Sequence, residues 1–290
     1  MKPTRALVLS GGGAKGAFQA GVLSTLDSNY SIFTGISVGA LNAAYLAQFK
    51  DTRQGILGLI NMWSRTETKD VYKKWFGGHL AALWKSSVYN SAPLRKMVES
   101  HISPERIRSS GNNLTVGAVE VPSGRYGEWH ETSKDIIEGV LASSAFPAML
   151  TPIEIGGRTY LDGGLRVVTP IASAINLGAT HIDVVMCSHK SIKESFPKEP
   201  NTLKIAATSL EVLMSEIVNK DLKVAHLYNR LAAAGIGGSK REISIRVIRP
   251  PRALGDSLDF NREKMGQEMQ LGVLAGLNGW KYLKNHLEEI

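Results

Sequence analysis

Ser37 sits in the pattern Gly35-Ile36-Ser37-Val38-Gly39, with a glycine two residues to either side of a hydroxyl. An apolar run, Ser31-Ile32-Phe33-Thr34, precedes it and reads as a short buried strand. Residues 40–47, rich in small side chains, follow and read as a helix. In a strand–turn–helix setting such a serine projects its hydroxyl from a tight bend at a sheet edge. Without Cβ atoms on either side, the backbone can bend sharply and a substrate can come close. The free N–H groups of the new helix point back at the serine and favour negative charge developing there. The same residues also describe a plain small-residue turn with an idle serine.

A serine hydroxyl is a poor nucleophile until a base takes its proton. Among the seven histidines, His181, His189, His226 and His286 fall where a Ser–acid–His chain order would put the base. None lies in a glycine-rich turn at the end of a strand. His181 opens a strand pattern and His226 falls mid-helix, so both read as structural. Asp162, in Leu161-Asp162-Gly163-Gly164, offers a shorter route. If its carboxylate reaches the Ser37 hydroxyl, it acts as general base with no histidine between. An ordinary aspartate, with a pKa of ~3.9, is a feeble base at neutral pH, so the scheme needs burial to raise it. A partly desolvated Asp162 is therefore expected. Taken alone, Asp-Gly-Gly reads as an ordinary turn.

Near the N-terminus, Ala6-Leu7-Val8-Leu9 reads as a buried strand, followed by Ser10-Gly11-Gly12-Gly13-Ala14-Lys15-Gly16 and a helix over 17–26. This is an anion-binding arrangement. Gly11, Gly13 and Gly16 satisfy G-x-G-x-x-G. The next strand, however, ends at Gly35-Ile36-Ser37, with no acid to hold a ribose. A phosphate-binding P-loop needs Lys then Ser or Thr after the last glycine, and here Ala17-Phe18 follow. The remaining reading has Gly12 and Gly13 presenting N–H groups to an oxyanion. Two consecutive strand–helix units place both turns at one edge of a parallel sheet. Lys15 is expected to cap or orient the loop.

The chain has 290 residues and a formal charge of +8, and 43% of it is hydrophobic, ample for a sizeable core. A single cysteine, Cys187, excludes an internal disulfide and a multi-cysteine metal cluster. In its apolar run it reads as a small buried hydrophobe. The opening Met1-Lys2-Pro3-Thr4-Arg5 runs straight into a strand pattern, with no signal-like apolar core. No stretch is long and apolar enough to span a bilayer. A soluble, cytoplasmic protein with peripheral contact to an anionic membrane surface is the expectation. The excess of positive charge would favour anionic partners. No nucleic-acid partner, metal or cofactor is expected.

The elements that must carry these residues alternate. Residues 52–102 read as an irregular helical segment holding Trp63, Trp75 and Trp84 among Lys73, Lys74, Lys85 and Arg95. Aromatics beside lysines suit a membrane interface, and equally a cap or lid-like insertion with buried tryptophans. Two strand patterns, 114–121 and 125–131, flank Pro122-Ser123-Gly124 as a hairpin, and 135–141 is helical. Residues 152–155 and 158–161 flank Gly156-Gly157 as a second hairpin. A helix over 170–176, a strand over 180–188, a polar loop over 189–201 and a long helical run over 203–234 follow. A strand over 242–248 and a largely helical stretch over 261–287 close the chain. The alternation predicts an α/β fold, a three-layer sandwich with a mainly parallel sheet between helices.

Taken jointly, Gly11-Gly12-Gly13-Ala14-Lys15-Gly16, Gly35-Ile36-Ser37-Val38-Gly39 and Asp162-Gly163-Gly164 resemble the three signatures of patatin-like phospholipases, in order. Ala142-Ser143-Ser144-Ala145-Phe146-Pro147 is similar to the family's stretch ahead of the aspartate. Weaker likeness lies around Leu258-Asp259-Phe260. The resemblance implies one catalytic domain over 1–290 and a Ser–Asp dyad of Ser37 and Asp162. It also implies an oxyanion hole from Gly11, Gly12 and Gly13, and calcium-independent hydrolysis of lipid acyl esters. One departure stands out: Val167-Val168-Thr169 precede Pro170 where members commonly carry an asparagine. Residues 52–102 match no part of the family pattern. Two other readings stay open: a histidine-dependent serine esterase, and a non-catalytic module that senses anions or lipids through the glycine loop.

Overall fold

The computed structural model describes residues 3–76, 84–190, 202–236 and 242–283. β1 (Arg5–Leu9), buried at all but its first residue, passes through a glycine turn into α1 (Gly16–Leu23). β2 (Ile32–Gly35), wholly buried, runs into α2 (Val38–Ala47). The next segment holds α3 (Thr52–Arg65), α4 (Thr68–Val71), the short strands β3 (Lys73–Lys74) and β4 (Tyr89–Asn90), α5 (Ala92–His101) and α6 (Pro104–Ser110). Then come β5 (Asn113–Val121), β6 (Tyr126–His130), α7 (Ile136–Ser143), β7 (Ile153–Ile155) and β8 (Arg158–Asp162). The chain continues through α8 (Ile171–Asn176), β9 (His181–Val185) and α9 (Thr202–Ala233). It finishes with β10 (Ser244–Ile248), α10 (Arg262–Asn278) and β11 (Lys281–Tyr282).

One sheet runs β11-β10-β9-β1-β2-β5-β8-β7, with β6 also paired to β5. From β10 to β5 all neighbours are parallel. β6, β7, β8 and β11 pair antiparallel. The central strand β1 shows why both faces are covered. Leu7 and Leu9 join a core with Phe18, Leu46 and Leu59, on the α1, α2 and α3 side. Ala6 and Val8 point the other way, onto Ile171, Val218 and Leu222 of α8 and α9. A strand alternates its side chains between faces, so an unbroken apolar run needs helices on both. The result is the expected helix–sheet–helix sandwich with a mainly parallel centre.

Local differences from the sequence reading have local causes. The first helix stops at Leu23, short of residue 26. The helical run read over 203–234 forms one continuous helix, Thr202–Ala233. The final helix stops at Asn278, and 281–282 return as an edge strand. That return buries Leu283, whose N–H donates to Ile245 O at 2.9 Å, and lays the Trp280 ring under the Arg246 guanidinium at 4.5 Å. Most of the 189–201 loop, with His286, lies outside the described residues. Residues 52–102 are not wholly helical, because β3 and β4 pair as a small ribbon.

The tryptophans of that segment divide. Trp63 is buried, and its Nε1 donates to Asn42 Oδ1 at 2.9 Å. Asn42 in turn donates to Gln19 Oε1, and Gln19 to Ser10 O, each at 2.9 Å. A buried polar chain thus ties α3 through α2 and α1 to the end of β1. Trp84 is 78% exposed. Among the described residues no helix is long and apolar enough to cross a membrane.

Candidate functional site

β1 and β2 lie side by side and parallel, so the turns after them share one edge of the sheet. The chain crosses from β1 to β2 on one side, while β9 flanks β1 on the other. Ligand crevices form at such a switch point.

Ser37 occupies the bend between β2 and α2 with φ 57° and ψ −128°. Positive φ is costly for a residue with a Cβ, on the order of 1–3 kcal/mol, and persists only where surroundings fix it. The two glycines provide the room. A methyl at Gly35 would stand 2.1 Å from Gly39 O, and one at Gly39 would stand 2.2 Å from Leu9 O. Side chains hold the bend as well. The Ser37 N–H donates to Ser143 Oγ at 3.0 Å, and Ser144 Oγ donates to Ser37 O at 3.2 Å.

Asp162 ends β8. Across β5 the register places Val116 beside Gly35 and Ala118 beside Asp162, so the carboxyl and the serine bend are brought to one level. The Asp162 N–H donates to Ala145 O at 3.0 Å. Residues 143–145 therefore grip both Ser37 and Asp162. The sequence marked this stretch only by family likeness, and its positioning role was not legible there. Oδ1 accepts from Gly164 N–H at 2.8 Å. Oδ2 is buried and completes no hydrogen bond of ordinary geometry.

The aspartate is fully buried, further than the partial desolvation expected. Burial pushes its carboxyl up to about 7, while the Gly164 N–H and the nearby Ser37 hydroxyl pull it back. Ser37 is thus near enough to act on the carboxyl without a completed bond to Oδ2. Loose contacts of this kind are common in unliganded sites.

The glycine loop lies against the same serine: a methyl at Gly11 would be 3.2 Å from Ser37 Cβ. The Gly11 N–H is already engaged, donating to Val168 O at 3.3 Å. Gly13 takes φ +57°, and the Ala14 N–H donates to Ser257 O at 2.8 Å. The N–H groups of Gly12, Gly13 and Val38 have no hydrogen-bond partner among the described residues. All three residues line the cavity beside Ser37. Val38 was not singled out from the sequence; the signal was its place directly after the bend serine.

The divergent Val167-Val168-Thr169 stretch proves to be a bridge. Asp221 Oδ2 on α9 accepts from the N–H groups of Val168 and Thr169 at 3.0 and 2.9 Å, while Val168 O accepts from Gly11. Burial pushes the Asp221 carboxyl up to about 6.

The cavity has a volume of about 170 Å³ and is walled largely by apolar groups, among them Leu41, Met62, Trp63, Leu94, Phe146 and Phe260. Lys15 lies at its polar side, with Nζ 3.9 Å from Glu211. Of the described histidines, His189 is the one that lines it. His181 pairs with Thr180 Oγ1 and His226 belongs to α9. Cys187 is buried with its thiol pushed up to about 12 by desolvation, which fits a packing role. Among the described residues no group of three or more His, Cys, Asp or Glu is placed to hold a metal ion.

Residues 7–175 match the family described as Patatin-like phospholipase. A cGAMP-activated phospholipase of Escherichia coli (strain TW11681) is 25% identical, over 69% of this chain and 65% of its own length. An uncharacterised NTE family protein of Mycobacterium bovis is 24% identical, over 69% of this chain and 53% of its own. VipD from Legionella pneumophila, a solved structure, aligns with a TM-score of 0.45 at 13% identity, covering 96% of this chain and 66% of that one. The chain thus spans between half and two thirds of the length of these curated relatives. The family match itself takes in more than half of the 290 residues, so the chain belongs to the patatin-like phospholipase family.

Proposed function

We propose that the protein is a serine lipid acyl hydrolase, a phospholipase A or esterase, with Ser37 as nucleophile and Asp162 as general base. The observation that carries this reading is a wholly buried carboxyl with one unpartnered oxygen, raised to about 7, beside a strained serine on the wall of an apolar cavity. A carboxylate in that state is matched to taking a proton near neutral pH. Asp162 takes the Ser37 hydroxyl proton as Oγ attacks the ester carbonyl. The oxyanion that forms is held by backbone N–H groups, each donor supplying ~3 kcal/mol in the transition state.

Gly12, Gly13 and Val38 are the donors this geometry favours. Gly11, whose N–H is committed to Val168 O, supports the loop instead. The proton passes to the leaving alcohol, and Asp162 then activates water to release the acyl-enzyme. The apolar wall suits an acyl chain, with Met62, Trp63 and Leu94 contributed by residues 52–102. We read 1–290 as one catalytic domain in which 52–102 serves as the cap.

The test is labelling by a fluorophosphonate probe, with the adduct mapped, followed by a panel of lipid esters. The expected adduct is on Ser37, absent in Ser37→Ala, with hydrolysis lost in Asp162→Asn. No labelling would favour a non-catalytic lipid-sensing module. The histidine-dependent alternative gains one specific support, the place of His189 on the cavity wall, and loss of hydrolysis in His189→Gln would favour it.

A further inference from the structure

The small ribbon of β3 and β4 carries a group of residues that neither the core nor the cavity uses. Phe76 is fully exposed and Trp84 is 78% exposed. Lys73, Lys74 and Lys85 are exposed beside them. Lys85 lies over the half-buried Trp75 ring at 5.1 Å, and Trp75 Nε1 donates to Ser87 O. Residues 72–76 and 84–90 hold these three lysines and no acidic residue.

The ribbon is rooted firmly. Val88 and Tyr89 donate their N–H groups to Ala148 O and Met149 O at 2.8 and 3.0 Å. Tyr72 packs on Tyr89 with centroids 4.4 Å apart, and its hydroxyl donates to Leu258 O at 2.6 Å. Leu258 and the neighbouring Val71 line the cavity, so the exposed aromatics stand on an extension of the cavity wall. On α9, which also lines the cavity, Val212 and Leu213 are exposed as well.

We infer that this ribbon docks the protein on an anionic phospholipid bilayer, Phe76 and Trp84 entering the interface while Lys73, Lys74 and Lys85 meet headgroup phosphates. Two large rings held in water on a rigid support gain by moving to headgroup depth, where aromatic side chains are at home. Lysines carry their charge to phosphate while their alkyl stems lie along the interface. Three exposed lysines, with no acidic residue among 72–76 and 84–90, are complementary to a bilayer of negative lipid. Among the described residues, Phe76 and Trp84 are exposed, as entry into a bilayer interface requires. The inference rests on the reading that the substrate is a lipid ester.

The test uses the Ser37→Ala chain, so that vesicles stay intact, in flotation assays with phosphatidylcholine vesicles with or without phosphatidylglycerol. Binding is expected only with the anionic lipid, weakening as salt rises. Each lysine charge removed should lower the partition coefficient about fivefold, so that Lys73→Gln with Lys74→Gln costs roughly 25-fold. Phe76→Ser with Trp84→Ser should lose binding as well, with the melting temperature unchanged. In the Ser37-containing background, the same variants should hydrolyse a water-soluble short-chain ester at the parent rate. Equal binding by parent and variants, or binding indifferent to lipid charge, overturns the inference. Failure to hydrolyse any ester would instead overturn the catalytic reading, and the vesicle arm would still decide the docking.

Discussion

Replacing Asp162 by asparagine separates two roles of one carboxyl. The side chain is fully buried, and its pKa rises from 3.8 to about 7 because ionisation there lacks solvent. A carboxyl raised in the folded state burdens the fold once it ionises: the penalty is absent below the unfolded pKa and complete above the folded one. With those two values, wild type incurs about 2 kcal/mol of this penalty at about pH 5 and about 4 kcal/mol at about pH 8. Asparagine keeps the acceptor for the Gly164 N–H and never ionises. Its amide N–H₂ adds a cost that does not vary with pH. The stability of Asp162→Asn relative to wild type should therefore improve by roughly 2 kcal/mol between about pH 5 and about pH 8. For a chain of this size that corresponds to a relative gain in melting temperature of roughly 5 °C. Calorimetry or denaturant titration across the range reads it directly. In the same series, wild-type kcat/KM for a soluble ester should rise through about pH 7 as the base form appears, while Asp162→Asn stays inactive. A stability difference that is flat with pH would refute the raised carboxyl. Full activity in Asp162→Asn would refute its role as base.

Further outcomes follow from the same geometry. Ser143→Ala leaves the Ser37 N–H without its acceptor in a buried bend, so stability should fall by about 1–3 kcal/mol. Its kcat should drop more than its KM, read by steady-state kinetics on a soluble ester. Gly39→Ala places a methyl 2.2 Å from Leu9 O on a central strand, and the variant should yield little folded protein by near-UV circular dichroism. His189→Gln should keep hydrolysis within about threefold of wild type, a factor worth under 1 kcal/mol, if Asp162 and not the cavity-lining imidazole is the base, as proposed.

The sequence was most informative where local chemistry leaves little choice. A serine flanked by glycines between an apolar run and a small-residue helix specifies a tight bend, because only that backbone lets Gly35 and Gly39 pack on Gly39 O and Leu9 O. The alternation of strands and helices likewise specified a sandwich, since runs such as Ala6-Leu7-Val8-Leu9 need cover on both faces. Long-range pairing was not legible. Nothing in the order of residues announced that Ser143 and Ser144 would bond to Ser37, or that Asp221 on a distant helix would bridge Val168 and thereby the glycine loop. The three tryptophans of 52–102 looked alike in sequence, yet Trp63 found a buried acceptor in Asn42 while Trp84 stayed in water. Residue type and spacing thus marked which groups are candidates for the chemistry and what bend presents the serine. Only the tertiary structure decided the depth of Asp162, which donors remain uncommitted, and which aromatics face out. Those properties depend on what a side chain meets across the fold, and a chain order records neighbours in sequence, not in space.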